Sequence, residues 1–517
     1  MWLAMWILGC GGGGSPPSAL AKCAAAPGFV EEPTWFVAER AEGVRFVRVR
    51  LDAPARIRVL DDDGTTIRVL DGPTEAADHD VALVGMIEGE HELVVEVVGT
   101  QGCVEASAPH RTAVEHVVGL DVDVLELDRD AMGPEWTAVP ISLRGLDREG
   151  VLLLDDQLRV VWFGESEPAL RELRWTDRGT LRGTGNGRVV EIDLAAELVS
   201  EVTPEAGPLH HDVVVLPDGT FWTLVDQSTA VEAYPVSVDE LDTLAPAVIR
   251  DQLVVHMDAE GRTLAARALS DVLDTRRIGY LSHEDAKEGL DWTHGNGLAD
   301  DRAGGVWVSA RHLDVLVHLD ADLQLVELLG DPGGWVPPWS DLLLMPTAGT
   351  LWPYHTHAPE VLPDGTLVVF DNHNHGGTPY DPPDLEARTT SRAVGYRVED
   401  GVVEQLWERS DTATGLLFSG GVGDVDVDGD GRVLADFGFV RFEDGEPLSS
   451  QGLGSMAARL VAWDADGIRR MDVRVGTDVA VMPDGLFAYR VERIPPVHEL
   501  LLLERPDSAV AEPGIAP

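Results

Sequence analysis

The stretch HDVVVLPDGTFWTLVD, residues 211–226, sets two apolar runs on either side of Pro-Asp-Gly, which spells a hairpin: strand, tight turn, strand. The same spelling returns as HAPEVLPDGTLVVFDN from His357 and as DVAVMPDGLFAYRVE from Asp478. Looser copies are HGNGLADDRAGGVWVSAR from His294 and DVDVDGDGRVLADFG from Asp424. Repeated four-stranded sheets that open with such hairpins make a β-propeller, with each innermost strand beside a central channel. Residues 119–505 leave room for about six sheets at ~60 residues each. The expected fold is therefore all-β, a six-bladed propeller. Helix is expected only in the short stretches LSDVLDTRR and HEDAKEGLD.

Upstream, residues 30–118 place apolar side chains at every second position, as in VRFVRVRLDAPARIRVLDDDGTTIRVL and EGEHELVVEVVG. That period predicts a small N-terminal β-sandwich. Residues 1–10, MWLAMWILGC, form a short apolar run ending at Cys10, and residues 11–29 are a Gly/Ser/Pro-rich tether. This is the pattern of a bacterial lipoprotein signal without its basic n-region, and it predicts export with a lipid on Cys10 as the sole membrane attachment. Cys23 and Cys103 are then free to pair in an oxidising compartment, or to stay as two buried thiols. No cysteine follows Cys103, so the main domain holds neither a cysteine nucleophile nor a cysteine-based zinc site. No later segment offers the ~18 apolar residues that cross a bilayer. Residues 506–517 read as a C-terminal tail.

The chain carries 39 basic against 90 acidic side chains, a net charge of -51, which repels nucleic acid and anionic membrane surfaces. Lys22 and Lys287 are the only lysines. In so acidic a protein an arginine placed in a pocket carries more meaning than elsewhere.

Histidine supplies the chemistry. Eleven of the 16 histidines fall between His210 and His375. His211 and His357 each stand six residues before the proline of Pro-Asp-Gly, and His294 is expected at the same place before a turn lengthened by three residues. In a propeller the innermost strands all begin on one face, so repeat-equivalent side chains converge. The following strand returns to that face and brings Arg311, with Asp226, Asp371 and Asn372 ending their hairpins there too. Imidazoles and one guanidinium suit a tetrahedral anion, with an imidazole as nucleophile or proton carrier and no metal required. His210 competes with its neighbour His211 for the inward position.

The segments DWTHGNGLADD, VSARHLDVLVHLD and FDNHNHG carry a resemblance to the bacterial aryl-sulfate sulfotransferases, over about residues 130–505. That family is exported, six-bladed and independent of nucleotide cofactors. It moves a sulfuryl group from a phenolic sulfate ester to a phenol through a sulfohistidine. The resemblance implies that His357 is the nucleophile, that His211 and His294 are catalytic helpers and that Arg311 holds the sulfuryl oxygens. It further implies Trp292, Asn296, His210, Asn372 and Arg392 as substrate-binding candidates, with Trp292, Trp352 and Tyr354 available to flank the aromatic ring. Two departures stand out: Thr356 precedes the nucleophile where the family has glutamine, and His373 follows Asp371-Asn372 where it has glycine. The partners implied are a small phenolic sulfate and a phenol, with a homodimer left open.

Two rival readings remain at this level. The imidazoles could bind a divalent ion in a propeller hydrolase or lactonase, although Arg311 opposes a cation. A non-catalytic surface propeller that binds sulfated or phenolic ligands is the other. Asp424–Gly431, DVDVDGDG, has the alternating aspartates of a calcium loop. It lacks the glutamate at the twelfth position, where Ala435 or Phe437 stands, and it fits the hairpin repeat instead.

Overall fold

The structure is a computed structural model and describes residues 27–99, 104–144, 146, 148–381, 390–443, 446–448, 454–497, 501–505 and 509–512. Cys10, Cys23 and Cys103, the signal and most of the tether lie outside these residues. Among the described residues the chain is built almost wholly of antiparallel strands, and the one α-helix is the single turn Arg129–Met132, capped by Asp128. No described helix is long and apolar enough to cross a membrane.

The N-terminal part hangs on one long strand, Arg45–Asp62. Its first half pairs with Thr34–Val37 and Ala76–Leu83, and its second half with Ile67–Asp71 and Gly89–Val98. Alternate residues from both halves, Val47, Val49, Ile57 and Val59, enter a single buried cluster with Trp35, Leu83, Leu93 and Val95. Strand periodicity thus becomes one apolar core, because every second side chain points to the same side. Val510–Ala511, from the expected tail, adds an edge strand to Thr34–Val37.

Among the described residues six larger sheets follow in chain order, antiparallel apart from the pairs of Leu244–Met257 with Gly289–Asp291 and of Met345–Pro346 with Val402–Arg409. The small hairpin of Asp411–Thr412 with Gly415–Leu416 stands between the last two. The six open at Trp136–Leu143, Arg174–Trp175, Leu209–Val215, Gly295–Asp300, His357–Val361 and Asp424–Val427. The inner strands of the third to sixth sheets touch their neighbours in that order, and the second sheet meets the third through Leu181–Gly185. The first sheet receives its inner strand from the far end of the chain, where Leu486–Ala488 and Glu492–Ile494 pair with Trp136–Leu143. Leu120–Leu127, from before the first sheet, in turn covers the outer edge of the sixth by pairing with Arg469–Thr477. Both ends of the array are stitched across the closure, and apolar side chains such as Val139, Leu152, Leu460 and Val473 fill the space between the first and last sheets.

Four local expectations are corrected. The copy from Asp478 is not a hairpin: Asp478–Asp484 forms turns, and only Leu486 onward is strand. Here the chain crosses from the outer edge of the last sheet to the inner edge of the first, so no partner strand runs beside Asp478–Asp484. HEDAKEGLD is a tight strand pair, Asp285–Ala286 with Gly289–Asp291, rather than a helix; Gly289 sits at φ +136°, and Leu290 and Asp291 pair with Ile249 and Arg250. LSDVLDTRR keeps only one 3₁₀ turn, Leu269–Asp271. Asp226 does not end its hairpin, because the strand Phe221–Pro235 runs on for 15 residues beside Leu244–Met257.

Candidate active site

The inner strands of the third, fourth and fifth sheets each begin with a β-bulge, between His210 and Val213, Gly295 and Gly297, and His357 and Glu360. A bulge leaves residues unpaired and re-aims their side chains. His211 (φ +57°), His294 (φ +45°), His355 (φ +54°) and Ala358 (φ +46°) all take the left-handed conformation, at a cost of about 1 kcal/mol or more each for a non-glycine residue. Asp212 holds the first bulge: one carboxylate oxygen accepts from its neighbour Val213 N at 2.8 Å, the other from Leu298 N in the next sheet at 2.7 Å.

The turns give these three strands a common origin, since each turn holds five residues. The last pairs before the turns are Val215 with Phe221, Asp300 with Val306 and Val361 with Leu367. Counting back from them, the place of His211 and His357 in the fourth sheet belongs to Asn296, and His294 instead matches His355. This corrects the expected register of His294 by two residues. The match is chemical as well: Nδ1 of His294 meets Asp291 Oδ2 at 2.6 Å, and Nδ1 of His355 meets Asp314 Oδ1 at 2.7 Å. His294 still reaches the centre, where its ring meets those of His211 and His312.

At that centre Nε2 of His211 lies 3.3 Å from Nε2 of His294. The His210 ring sits 4.1 Å from that of His211, centre to centre, and the His312 ring stacks on His294 at 4.6 Å. His357 is buried, and its Nδ1 meets Asn372 Oδ1 at 2.5 Å. The Asn372 amide nitrogen donates to Ser419 O and Val422 O, both at 2.8 Å, so the amide is held with its oxygen toward the ring. Nδ1 of His357 therefore carries the hydrogen, and Nε2 keeps its lone pair.

Arg311 follows directly on the strand Val306–Ala310, in a 3₁₀ turn. It donates to His312 Nε2 at 3.0 Å and weakly to Gly420 O at 3.4 Å, while its Nε is buried without a partner. Among the described residues no carboxylate comes within ion-pairing distance of this guanidinium. Burial pulls it below the ordinary arginine value, against the opposing influence of Glu284, Asp314 and Asp291. Burial likewise holds His211, His294, His312, His355 and His357 well below the usual histidine value, with the charge of Arg311 adding to this at all but His211. All five rings are neutral near pH 7. Other buried polar atoms without partners surround the group: His355 Nε2, Asn296 Oδ1 and Asn374 Oδ1.

Two members of the cluster were missed in the sequence. Tyr489 OH bonds to His211 Nδ1, and Arg490 lies beside it, its Nε on Glu172 Oε2 at 2.6 Å and its Nη1 on Gly423 O at 2.7 Å. The signal is the Pro-Asp-Gly copy from Asp478, which carries both residues just after its turn.

Some expected site residues play other parts. Trp292 is fully buried in the apolar core around Leu298 and Leu313, with Nε1 donating to Arg277 O at 2.9 Å, so it offers no substrate surface. Arg392 is spent on Asp371, at 2.8 Å, and Glu408, at 2.6 Å, and braces the strand end behind His357. Asn372 orients His357 rather than facing a ligand, and Asn296 Nδ2 is tied to Thr356 O at 3.0 Å. Thr356 turns its hydroxyl to Ser309 at 2.7 Å, away from the imidazole that follows it. Tyr354 is buried, with its ring edge toward His373 at 5.3 Å, and Trp352 packs partly against the fifth sheet.

Asp291, His294 and His312 offer three atoms spaced for a metal ion. Arg250 Nη1, 3.3 Å from Asp291 Oδ2, and Arg311, bonded to His312 Nε2, place two positive charges against that use. Asp424 and Asp426 lie in the strand Asp424–Val427, and Asp428 and Asp430 in the turn that follows it. Asp428 accepts from the amides of Asp430 and Arg432 and from the Arg432 guanidinium at 2.6 Å, which leaves no open calcium loop. A cavity of about 650 Å³ opens at the other ends of the inner strands, lined by Arg174, Trp175, Arg302 and Glu360 and by none of the site histidines.

The Arylsulfotransferase (ASST) family matches residues 143–473. No curated protein matches the chain. Among solved structures it is similar to a protein of unknown function from Bacteroides caccae, at 10% identity and TM-score 0.40 over 70% of this chain and 100% of that one. It is also similar to an inactive variant of virginiamycin B lyase from Staphylococcus aureus, at 7% identity and TM-score 0.31 over 69% and 99%. A third is a gluconolactonase from Xanthomonas campestris, at 14% identity and TM-score 0.27 over 70% and 99%. Likenesses this distant say nothing about the chemistry of the site. The family match, spanning more than half of the residues, does: the chain belongs to the arylsulfotransferase family.

Proposed function

We propose that this protein is a six-bladed propeller that transfers a sulfuryl group from a phenolic sulfate ester to a phenol through a sulfohistidine at His357. The observation that carries the reading is the pairing of a neutral imidazole, its Nε2 lone pair kept free by Asn372, with a buried guanidinium that has no carboxylate of its own. Sulfuryl transfer needs in-line attack and stabilised equatorial oxygens, and it tolerates the absence of a metal because the group carries less charge than a phosphoryl group. Nε2 of His357 bonds to sulfur as the S–O bond to the aryl group breaks, and the phenolate leaves with the electron pair. Arg311 gathers the sulfuryl oxygens, with His211 and His294 beside it as the helper histidines. An acceptor phenol then attacks the same sulfur, the N–S bond breaks, and the phenolic proton leaves through a helper histidine.

The lipid on Cys10, the export it implies and the Cys23–Cys103 pairing belong to the same proposal, as does an N-terminal sandwich over residues 30–118 ahead of the catalytic domain 119–505. A metal-dependent hydrolase built on Asp291, His294 and His312 is the second reading, and metal analysis of the purified protein separates it. The decisive experiment is incubation with a chromogenic aryl sulfate, with and without phenol, for the wild type and His357→Ala. Acceptor-stimulated release lost in the variant, with a sulfuryl mass on the His357 peptide of quenched wild type, supports the proposal. Equal activity in both proteins discards it.

A further inference from the structure

Tyr489, His211, His294 and Asp291 form an unbroken chain of hydrogen bonds, and its direction is fixed from one end. The Asp291 carboxylate, paired with Arg250 at 3.3 Å, only accepts, so Nδ1 of His294 carries a hydrogen toward it. His294 is neutral, so its Nε2 holds a lone pair and must accept from Nε2–H of His211. His211 is neutral too, which leaves its Nδ1 as an acceptor, and the Tyr489 hydroxyl is the group that donates to it. Every hydrogen therefore points from Tyr489 toward Asp291.

The links differ in strength. Tyr489 sits tight against His211, whereas the imidazole–imidazole contact at 3.3 Å is longer than a good N–H bond. The His211 Nε2–H is thus fixed on its ring but loosely engaged at its far side, ready to turn to a better acceptor. An oxygen that gains negative charge as an aryl–O–S bond breaks is such an acceptor.

We infer that Tyr489 is a positioning residue that holds His211 in its Nε2–H tautomer, so that His211 presents a hydrogen-bond donor to the aryl oxygen of the ester. The inference rests on the reading that His357 takes the sulfuryl group, and it adds a role for a residue outside the imidazole cluster. Removing the hydroxyl leaves Nδ1 of His211 bare, and the ring is free to move its hydrogen there and face the ester with a lone pair. The loss must then follow the leaving group. A nitrophenolate is stable without a donor, whereas an unsubstituted phenolate needs one.

The experiment is kcat/KM for a series of aryl sulfates, from nitrophenyl to methoxyphenyl, with wild type and Tyr489→Phe. The expected result is a change below about threefold for nitrophenyl sulfate and a loss of about 100-fold for the least acidic phenols, the size of one lost oxyanion donor. A uniform loss across the series, or none, overturns the inference while leaving the role of His357 standing. If instead wild type and His357→Ala act alike on every ester, the underlying reading has failed. Nitrogen chemical shifts of the His211 ring in the wild type give a test that needs no variant. A protonated Nε2 with a bare Nδ1 is expected, and the opposite tautomer overturns the assignment.

Discussion

Asn372 Oδ1 accepts the Nδ1 hydrogen of His357 at 2.5 Å while its own amide nitrogen is pinned by two carbonyls of the next sheet. This one side chain decides which nitrogen of the imidazole can attack. Asn372→Ala is expected to leave His357 neutral but free to rotate, lowering kcat by about 100-fold, in the range by which positioning steps affect rate. Steady-state kinetics with the protein's thermal midpoint as a control check this, and an unchanged kcat refutes it.

Arg311 stores a conflict between folding and function. Its guanidinium is buried with one nitrogen unpartnered and, among the described residues, no carboxylate within ion-pairing distance. Arg311→Met is expected to stabilise the fold by about 1–3 kcal/mol, the desolvation penalty of an unsatisfied polar group, while activity is lost. Sulfate should raise the melting temperature of the wild type and not that of the variant. Urea titrations with and without sulfate measure both effects.

Acid should act on stability through the buried imidazoles. Burial chiefly lowers His210 to about 4. Between the unfolded value near 6.5 and that value the unfolded chain binds a proton that the folded chain refuses. Stability is therefore full above pH 6.5 and falls by about 1.4 kcal/mol per pH unit for each such histidine as the pH drops. His211, His294, His312, His355 and His357 shift in the same direction, so the loss is steep. Melting curves from pH 8 to 5 should show it, with a shallower slope in His210→Asn. Because His357 stays neutral, kcat should not fall with the ordinary histidine titration near 6.5.

Arg392 is a structural ion-pair member. Arg392→Met strands Asp371, a fully buried carboxylate left with only the Tyr354 amide at 2.9 Å and the His373 ring at 3.3 Å. A cost of about 3–5 kcal/mol is expected, with KM of the surviving folded protein unchanged. A raised KM without loss of stability contradicts this assignment.

Much of this was legible in the residues. Alternation and the Pro-Asp-Gly spelling predicted β-structure and brought His211, His357 and Arg311 to one place, because strand period and turn chemistry are local properties. The errors also have local causes. His294 was matched by assuming a turn lengthened by three residues, whereas the strand pairs at the three turns enclose five residues each, so that the count back from Asp300 reaches Asn296. Trp292 looked like a platform for an aromatic ring because sequence does not say which side of the wall a side chain is on.

What the sequence determined alone is the inventory and its spacing: the repeated hairpins, the concentration of imidazole, and one arginine set at the end of a strand. What only the tertiary structure decided is the protonation pattern. Which ring nitrogen bears hydrogen depends on the partner that reaches each ring, Asn372 from the same hairpin for His357 and the remote Tyr489 for His211, and on burial that keeps the rings neutral. The contact with Tyr489 is a property of closure, where late strands of the chain complete the first sheet, and no stretch of residues expresses it beforehand.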